Sequence, residues 1–301
     1  MRKRGKLILI SAACLLAVLL VIRATVHQTE PAYEGEPLSY WTTQLRGEPA
    51  PEKEREARAA VRALCTNQLP ALVEALAYDD RPRLARLDPF IRRLPQRLRI
   101  ALLNTVLVDK DSVRCGTAAE ALEALGPEAV PALPALAKLV ESTNDMRSYS
   151  ASRVLARLGT NGLPVLLRIA ADPSNPRRRR ALSAMCRMAS LGPDAAPAVP
   201  VLVSLTQDKD PVVVVEALDV LGILHINAET TISAIATTLA HPDPRVRARA
   251  IQALEGFRPP VPAAVATITK ALLDPDPYVQ EAATNALLNI APAMLTNAAT
   301  P

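Results

Sequence analysis

Asp243-Pro-Arg-Val-Arg-Ala-Arg-Ala-Ile-Gln-Ala-Leu254 decides the fold, because the pattern returns 33 residues later as Asp276-Pro-Tyr-Val-Gln-Glu-Ala-Ala-Thr-Asn-Ala-Leu287. The same period extends backwards through six alanines, each followed four positions later by a large apolar residue. The alanines are Ala118, Ala151, Ala184, Ala217, Ala250 and Ala283, and the apolar residues are Leu122, Leu155, Met188, Leu221, Leu254 and Leu287. A fixed period of 20–50 residues is typical of repeat proteins.

Each repeat predicts two helices, A and B. The alanine and the apolar residue four later share one face of helix B, where the small side chain permits close approach of a neighbouring helix. Aspartate followed by proline suits the start of helix B, and glycine suits its end. In the first three copies a proline is predicted to open the next helix A. These signals are Asp210-Pro211, Asp243-Pro244 and Asp276-Pro277, then Gly126, Gly159 and Gly192, then Pro131, Pro164 and Pro197.

The two quoted stretches resemble short HEAT repeats, and they are most similar to the bacterial kind also seen in bilin-lyase-like proteins. The resemblance covers roughly residues 52–292 and implies an all-α fold, an α-solenoid of the HEAT/armadillo type in which stacked repeats form a superhelix. The ankyrin signature and the aromatic pattern of tetratricopeptide repeats are absent from the sequence. Because HEAT repeats serve scaffolds, receptors and a few enzymes, the resemblance does not decide function.

The sequence divides into four segments. Residues 1–29 form a cytoplasmic tip and membrane helix, 30–50 an aromatic lead-in that caps the repeats, 51–292 a solenoid of about six to seven repeats, and 293–301 a tail. The register breaks over Tyr78–Gln96, which we interpret as a loop followed by an irregular helix. An A helix is predicted to resume over Arg97–Val108.

The first segment predicts one transmembrane helix. Leu7–Ile22 contains no charged residue and follows four basic ones, Arg2, Lys3, Arg4 and Lys6. Sixteen residues are short for a membrane span, but flanking basic side chains can extend to the interface. The positive charges before the span place the N-terminus inside and the solenoid outside the cytoplasm, in the periplasm. The alternatives are a cleaved signal, which would release a secreted protein, and a lipoprotein modified at Cys14.

The lead-in segment is rich in aromatic residues. Tyr33, Tyr40 and Trp41 are three of the eight aromatic residues in the chain. Ser39 is predicted to cap a short helix that ends near Gly47. Trp41 then covers the open end of the first repeat, as terminal repeats require. The alternative interpretation of these side chains is a peptide-docking patch.

Charge is distributed unevenly along the solenoid. Residues 81–190 contain 19 basic and 9 acidic residues, whereas residues 191–301 contain 6 and 11. Three arginines follow the 33-residue period and a run of four ends on the last of them. The candidate binding residues are therefore Arg114, Arg147, Arg177, Arg178, Arg179 and Arg180.

These arginines have two interpretations. In the structural one, they bond neighbouring loops of the solenoid. In the functional one, they form a ladder for an acidic protein segment, an anionic polysaccharide or lipid headgroups. Nucleic acid is disfavoured as a partner, because base-stacking aromatic residues are missing and the solenoid is placed outside the cytoplasm.

The sequence indicates no catalytic or metal site and no cofactor. Serine-nucleophile motifs and phosphate loops are absent, and His27, His225 and His241 are far apart in sequence. Cys65, Cys115 and Cys186 are predicted on B helices as buried thiols, too far apart to pair. We therefore expect a non-enzymatic, membrane-anchored scaffold that binds a protein or peptide, with an acidic segment as one candidate. The alternatives are a bilin-lyase-like enzyme acting on a small molecule and a receptor for an anionic polymer or lipid.

Overall fold

The computed structural model describes residues 31–46, 49–77, 96, 110–257 and 259–292, with side chains from Arg114 onward in the stretch that starts at 110. The predicted membrane helix, most of the irregular segment, the A helix predicted over Arg97–Val108 and the tail from 293 lie outside the described residues. The chain forms two units, residues 1–125 and 126–301. In both units the described residues are mostly helical, which confirms the predicted all-α repeat fold.

The first unit begins with a small hairpin that the sequence analysis did not predict. Strands β1 (Ala32–Tyr33) and β2 (Glu36–Pro37) pair antiparallel. Glu34 and Gly35 connect them with φ of 52° and 85°. Two successive residues at positive φ are typical of the tight turns that join two-residue hairpins, and Gly35 adopts that conformation without strain.

Four helices follow in the first unit, and the last of them packs against the other three. They are α1 (Leu38–Gln44), α2 (Pro51–Cys65), α3 (Leu69–Ala77) and α4 (Lys110–Leu125), with a 3₁₀ turn over Thr66–Gln68. Helix α1 packs against α2 and α4. The prediction that Ser39 caps α1 is wrong: Pro37 precedes the helix, Ser39 lies within its first turn, and the helix ends at Gln44. The fixed φ of proline and the hairpin hydrogen bonds position the helix start without a side-chain cap.

Trp41 lies in the core of the first unit. Its indole is buried, and its Nε1 donates to the Tyr33 carbonyl at 3.3 Å. The rings of Tyr33 and Tyr40 meet it edge to face, with centroids 6.1 and 5.1 Å away. The hairpin and α1 therefore form one packed lead-in, as the capping interpretation of Trp41 requires.

The second unit consists of five A–B helix pairs. The A helices are α5 (Leu133–Val140), α7 (Leu163–Ala171), α9 (Val199–Leu205), α11 (Ala228–Thr237) and α13 (Pro262–Lys270). The B helices are α6 (Asp145–Arg157), α8 (Arg178–Met185), α10 (Pro211–Leu224), α12 (Pro244–Glu255) and α14 (Pro277–Ile290). Further 3₁₀ segments cover Gly126–Ala132, Gly159–Asn161, Cys186–Ala198, Thr238–Ala240 and Ala271–Leu273.

The periodic alanines and their apolar partners form the core. All twelve side chains are buried, from Ala118 and Leu122 in the first unit to Ala283 and Leu287 in the second. Within the second unit, each B helix packs against the next. A close approach lies at Gly222 of α10, where a Cβ atom would stand 2.8 Å from Cα of Ala253 in α12. The small residues Gly222 and Ala253 therefore allow the backbones of α10 and α12 to lie close together.

The predicted start of helix B is confirmed. Asp210, Asp243 and Asp276 each accept a hydrogen bond from the backbone N–H two residues later, at 2.9, 2.8 and 2.9 Å. The proline after each aspartate occupies the first helical position, where a missing N–H carries no penalty. Asn144 caps α6 in the same way, through the N–H groups of Met146 and Arg147.

The end of helix B also follows the prediction in two of the three copies. Gly126 and Gly159, which follow α4 and α6, have φ of 56° and 61°. The prediction is wrong for Gly192: α8 already ends at Met185, and Gly192 lies within the following 3₁₀ segment with φ 52° and ψ −130°. His225, which replaces glycine in the fourth copy, is left-handed as well, with φ 50° and ψ 33°. Its ring meets Phe257 edge to face with centroids 5.6 Å apart. That packing holds a non-glycine residue in a conformation that costs about 1 kcal/mol.

Two of the three prolines predicted to open helix A lie before it. Pro131 and Pro197 belong to the 3₁₀ segments Gly126–Ala132 and Cys186–Ala198. In these copies a second proline, Pro134 or Pro200, follows three residues later and occupies the first turn of α5 or α9. Pro164 opens α7 as predicted. A 3₁₀ connector tolerates the first proline because its turns are short, and the α-helix then begins around the second.

One apolar stretch among the described residues, Arg178–Leu205, has the length and hydropathy of a membrane span. It comprises α8, a 3₁₀ segment and α9, and Gly192 interrupts it with φ 52° and ψ −130°. The stretch therefore belongs to two successive repeats.

Candidate functional site

The exposed side of the B helices carries large side chains at one repeated position. This position is the second of each helix, and in all of them except α8 its backbone N–H donates to the side chain of the cap residue. Its five occupants are all exposed, and we call them the B column: Met146, Arg179, Val212, Arg245 and Tyr278. They are spaced by 33 residues and lie on successive, mutually packed helices of the second unit.

The A helices expose a different set at their own repeated position. These five residues are also 33 apart and exposed, and they are small or carry a lysine; we call them the A column: Lys138, Ala171, Ser204, Thr237 and Lys270. Large apolar, aromatic and arginine side chains are enriched in protein interfaces, whereas lysine, serine and alanine are depleted. The two columns therefore differ in the sense expected for one docking column and one solvated column.

Of the predicted arginines, Arg177 and Arg178 lie bonded within the protein. Arg177 pairs with the Asp145 carboxylate and donates from Nη2 to the Ser142 carbonyl at 2.7 Å. Arg178 pairs with the Asp208 carboxylate and donates from Nε to the Ala170 carbonyl at 3.0 Å. Its side chain is only 10% exposed. These bonds join loops of successive repeats, which is the geometry of the structural interpretation.

Arg179 and Arg180 differ from this pair. The Arg179 side chain is 61% exposed and stands 4.0 Å from the Glu216 carboxylate. Arg180 donates to the Asp145 carbonyl at 2.7 Å, and its guanidinium lies 5.8 Å from the centroid of the Tyr149 ring. Arg147 is half-buried on α6, and Arg114 is exposed on α4 of the first unit. The structure therefore brings Arg177–Arg180 together with α6, and it leaves Arg179 the most exposed of the four.

Tyr149 is the centre of an arrangement that the sequence analysis missed. Its ring is 46% exposed and lies between two guanidinium groups, Arg153 at 5.6 Å and Arg180 at 5.8 Å from the centroid. Arg153 and Arg157 follow Tyr149 on the same side of α6, one and two turns later. An i, i+4 pair of tyrosine and arginine was the available signal, because such residues are neighbours on a helix surface.

A carboxylate pair follows on α10. Glu216 and Asp219 lie one turn apart on the exposed side of this helix and are half-buried. Burial raises the pKa of both side chains above their ordinary values, and the charge of Asp219 raises the pKa of Glu216 further. Arg249 of α12 pairs with Asp219 at 3.2 Å, which opposes the shift. The sign of the exposed charge thus changes from positive on α6 and α8 to negative on α10.

A second feature that the sequence analysis missed is a repeated polar residue just before the start of three B helices. Asp208, His241 and Asp274 occupy one position of the 33-residue period, two residues before each cap. Each accepts the backbone N–H of that cap residue, at 2.9, 3.0 and 2.9 Å. Arginine hydrogen bonds from Arg178 and Arg247 hold the pKa values of Asp208 and Asp274 below the ordinary value for aspartate. The Asp-x-Asp-Pro sequences at 208–211 and 274–277 were the signal.

Two other predicted features concern metals and thiols. The described residues hold no group of three or more His, Cys, Asp or Glu side chains placed to bind a metal ion. Cys65 and Cys115 are buried on helices, as predicted. The prediction is wrong for Cys186, which is half-buried and begins the 3₁₀ segment that follows α8. Burial raises the pKa of Cys65 to about 11.

A family model for HEAT repeats matches residues 231–299. No curated protein matches the sequence significantly. The match covers the last two A–B pairs, which are also the two with the quoted Asp-Pro starts.

Solved structures of repeat type overlap with the chain at low identity. A structure of Kap121p bound to Ste12p is 16% identical, with a TM-score of 0.47 over 90% of this chain and 40% of that one. The YibA protein of Escherichia coli is 17% identical, with a TM-score of 0.45 over 71% and 78%. A designed armadillo repeat protein in complex with the peptide (KR)4 is 17% identical, with a TM-score of 0.42 over 74% and 99%. The repeat assignment itself rests on the 33-residue register and the family match.

Proposed function

We propose that this chain is a non-enzymatic docking scaffold whose B column receives a protein or peptide partner. The observation that carries the proposal is the contrast between the two exposed columns. Met146, Val212 and Tyr278 are large apolar or aromatic residues at 44, 38 and 53% exposure, while the A column holds only small residues and lysine. Exposed apolar and aromatic side chains set among arginines are the anchors typical of interfaces.

The regular stacking supports an extended contact. Side chains at one repeat position stand about 10 Å apart on packed neighbouring helices. An extended chain advances about 3.3 Å per residue, so a partner segment of about twelve residues would reach from the first to the last B helix of the unit. Four of the five helix starts are capped by a side chain, which holds Met146, Val212, Arg245 and Tyr278 in fixed positions and lowers the entropy cost of binding.

Membrane attachment is part of the proposal. Residues 7–22 would anchor the chain in the inner or plasma membrane, with the solenoid facing the periplasm, because basic residues precede the apolar run. From the resemblance to bilin-lyase-like repeats we propose only a similar fold, and no enzymatic activity. A scaffold held at the membrane would recruit its partner to that surface.

Site-specific photo-cross-linking in cells tests the docking side. A photoreactive amino acid replaces Val212 in the B column, and matched chains carry it at Ser204 or Thr237 in the A column. We expect a discrete cross-linked protein band from Val212 and none from the two A-column positions. Equal cross-linking from both sides would sink the proposal, because it would show that the B column has no preference for a partner.

Fractionation of the same cells tests the anchor. The full-length chain should sediment with membranes and resist extraction with carbonate, and a protease added to spheroplasts should digest the solenoid. Recovery in the soluble fraction at the mass of a shortened chain would instead show signal cleavage.

A further inference from the structure

We propose that His241 is a pH-sensitive support for the start of α12, which it holds at neutral pH and releases in mild acid. Release at this helix start would loosen Arg245, the residue that α12 contributes to the B column. The consequence for docking rests on the proposed function, whereas the pH response of α12 does not.

The support recurs in every repeat of the second unit. Two residues before the cap residue of each B helix, a side chain accepts the backbone N–H of that cap residue, at distances between 2.9 and 3.2 Å. We call this the support position, and its occupants are Ser142, Asn175, Asp208, His241 and Asp274. Four residue types make the same bond, so the common requirement at this position is a hydrogen-bond acceptor.

Among these five residues, only His241 changes its ability to accept near neutral pH. Serine and asparagine do not titrate, and arginine hydrogen bonds hold the pKa values of Asp208 and Asp274 below the ordinary value for aspartate. Histidine changes its charge between about pH 5 and pH 8. The Asp243 N–H donates to Nδ1 of His241 at 3.0 Å, so this nitrogen carries no proton in the bonded state. A proton on Nδ1 turns the acceptor into a donor and breaks the bond.

The first turn of α12 depends on the residue that His241 holds. The Asp243 carboxylate accepts the N–H of Arg245 at 2.8 Å, and the Asp243 carbonyl accepts the N–H of Val246 at 3.1 Å. Because both acceptors belong to Asp243, loss of its bond to His241 loosens the first turn. Arg245 is the second residue of that turn and moves with it.

The charged groups on the surrounding elements allow the ring to become protonated. They are Asp243 in its own loop, Arg245 and Arg247 on α12, Asp208, Lys209 and Asp210 in the preceding loop, and Asp274 and Asp276 in the following loop. Five carboxylates and three basic groups can accommodate an imidazolium. The nearest guanidinium, Arg247, donates to the His241 carbonyl at 2.9 Å and is neutralised by Asp274. On α10, the buried Val214 occupies the position of Arg247, so His241 lacks the arginine that holds Asp274.

The sign of the effect follows from proton binding. The bonded state excludes a proton from Nδ1 and the released state can bind one, so lowering the pH favours release. The support is therefore present at about pH 8 and is lost as the pH falls toward about 5, the range in which histidine binds a proton.

Hydrogen–deuterium exchange of the full-length protein in detergent tests the inference at pH 7.5 and 5.5, with labelling times scaled for the effect of pH on chemical exchange. We expect the protection of amides in residues 243–247 to fall about fivefold at pH 5.5, as for the loss of one hydrogen bond. The equivalent amides in residues 276–280 of α14, which Asp274 supports, should change by less than about twofold. Equal protection of residues 243–247 at both pH values, or an equal fall at both helices, would overturn the inference.

The variant His241→Asn assigns the response to this ring. Asparagine occupies the support position of α8, where the Asn175 Oδ1 accepts the Arg177 N–H at 2.9 Å, and it does not titrate. This variant should keep its protection at pH 5.5. If it is already less protected than the unaltered chain at pH 7.5, His241→Asp, which matches the neighbouring repeats, is judged by the same criterion.

The matched control is His225→Asn at the end of α10. Asparagine tolerates the left-handed backbone of this position, so the control should fold and retain the pH response of α12. A response that persists without His241, or one that disappears without His225, would assign the effect to another group and overturn the inference.

Photo-cross-linking from Val212 in isolated membranes at the two pH values tests the consequence for docking. We expect a weaker band at pH 5.5 from the chain with His241 and an unchanged band from His241→Asn. An equal loss in both chains would show that His241 does not control docking. Absence of a band at either pH would contradict the proposed function, and hydrogen exchange would still decide the pH response of α12.

Discussion

Arg247 donates two hydrogen bonds to the carboxylate of Asp274 in the second unit. They run from Nε to Oδ2 at 2.9 Å and from Nη2 to Oδ1 at 2.8 Å. Both side chains are about nine-tenths buried, and Arg247 also donates to the carbonyls of His241 and Pro242. Asp274 further accepts the N–H of the cap residue Asp276. The pair therefore connects the start of α12 to the loop before α14.

Asp274→Ala should be strongly destabilising, because it leaves a buried guanidinium without its carboxylate and removes the support of the α14 cap. Breaking such a pair costs about 3–5 kcal/mol. We expect the melting temperature of the full-length protein to fall by about 6 °C or more. Circular dichroism during heating measures this change, and hydrogen exchange should show the loss of protection in α12 and α14.

Arg168→Ala provides the comparison for that prediction. Arg168 and Glu141 also form a 2.7 Å ion pair between repeats, but their side chains are 61 and 41% exposed. Exposed pairs contribute about 0–1 kcal/mol, so the melting temperature should change by less than about 2 °C. A loss as large as that of Asp274→Ala would contradict the view that burial decides the value of these bridges.

Acid should destabilise the second unit through Asp208 and Asp274. Hydrogen bonds from arginine lower the pKa of each carboxyl in the folded state, so the unfolded chain binds protons first as pH falls. Their stabilising contribution is fully present above the ordinary aspartate value near pH 4 and is lost as pH falls through the lowered folded value. In Asp208→Asn the melting temperature should fall less steeply as pH is lowered below about 4. An equally steep fall in the variant would show that other groups govern acid sensitivity.

Glu216 should act with the opposite sign. Burial, more than the neighbouring Asp219 charge, raises its pKa in the folded state. Its favourable contribution is therefore present below the ordinary glutamate value and is lost as pH rises through the raised folded value. We expect Glu216→Gln to melt at the same or a higher temperature than the unaltered chain at pH 7, with any gain disappearing near pH 4. A lower melting temperature at pH 7 would show that attraction from Arg179 outweighs burial.

The sequence predicted those features that recur with the period. The buried alanine column, the Asp-Pro starts and the left-handed end at His225 were all foreseen, because each needs a particular residue type at one repeat position. The hairpin at Glu34 and Gly35 was missed, since a two-residue strand has no periodic pattern. Pro131 and Pro197 were wrongly predicted to begin A helices, because proline fits both a 3₁₀ connector and the first turn of an α-helix.

The arginine candidates show where sequence reasoning about a site stops. Arg178 and Arg179 are adjacent and chemically identical, yet the first is 10% and the second 61% exposed. Successive residues point in different directions from a helix, so one arginine side chain bonds a loop and the next is exposed to solvent. The contact between Tyr149 and Arg180 could not be predicted, because Arg180 lies on the following B helix. Contacts between repeats depend on the stacking geometry, which the period implies but does not specify.

Gly222 tests how closely the B helices approach. A Cβ atom at this position would stand 2.8 Å from Cα and 3.1 Å from Cβ of Ala253. Gly222→Ala should therefore force α10 and α12 apart and cost about 1–3 kcal/mol, despite the better helix propensity of alanine. At Gly116 of α4 a Cβ atom would meet nothing within 4 Å, so Gly116→Ala should be neutral or stabilising. Equal melting temperatures for the two variants would contradict the close approach.

Cys186 should react slowly although it is only half-buried at the end of α8. Burial is the main cause that raises its pKa to about 12, and the charges of Asp219 and Glu216 add to it. At pH 8 a thiol with this pKa is ionised to a fraction of only about 10⁻⁴, and the thiolate is the reactive form. Cys186 should thereby be protected from oxidation and from mixed disulfides.

Alkylation with iodoacetamide at pH 8, followed peptide by peptide in a mass spectrometer, measures this reactivity. We expect Cys186 in the folded protein to react at least a hundredfold more slowly than in the denatured chain. Combining Glu216→Gln with Asp219→Asn should accelerate alkylation of Cys186 a few-fold without affecting Cys65, which lies in the first unit. If Cys186 reacted as fast folded as denatured, its surroundings would not suppress the thiolate, and the carboxylates on α10 would have no protective role.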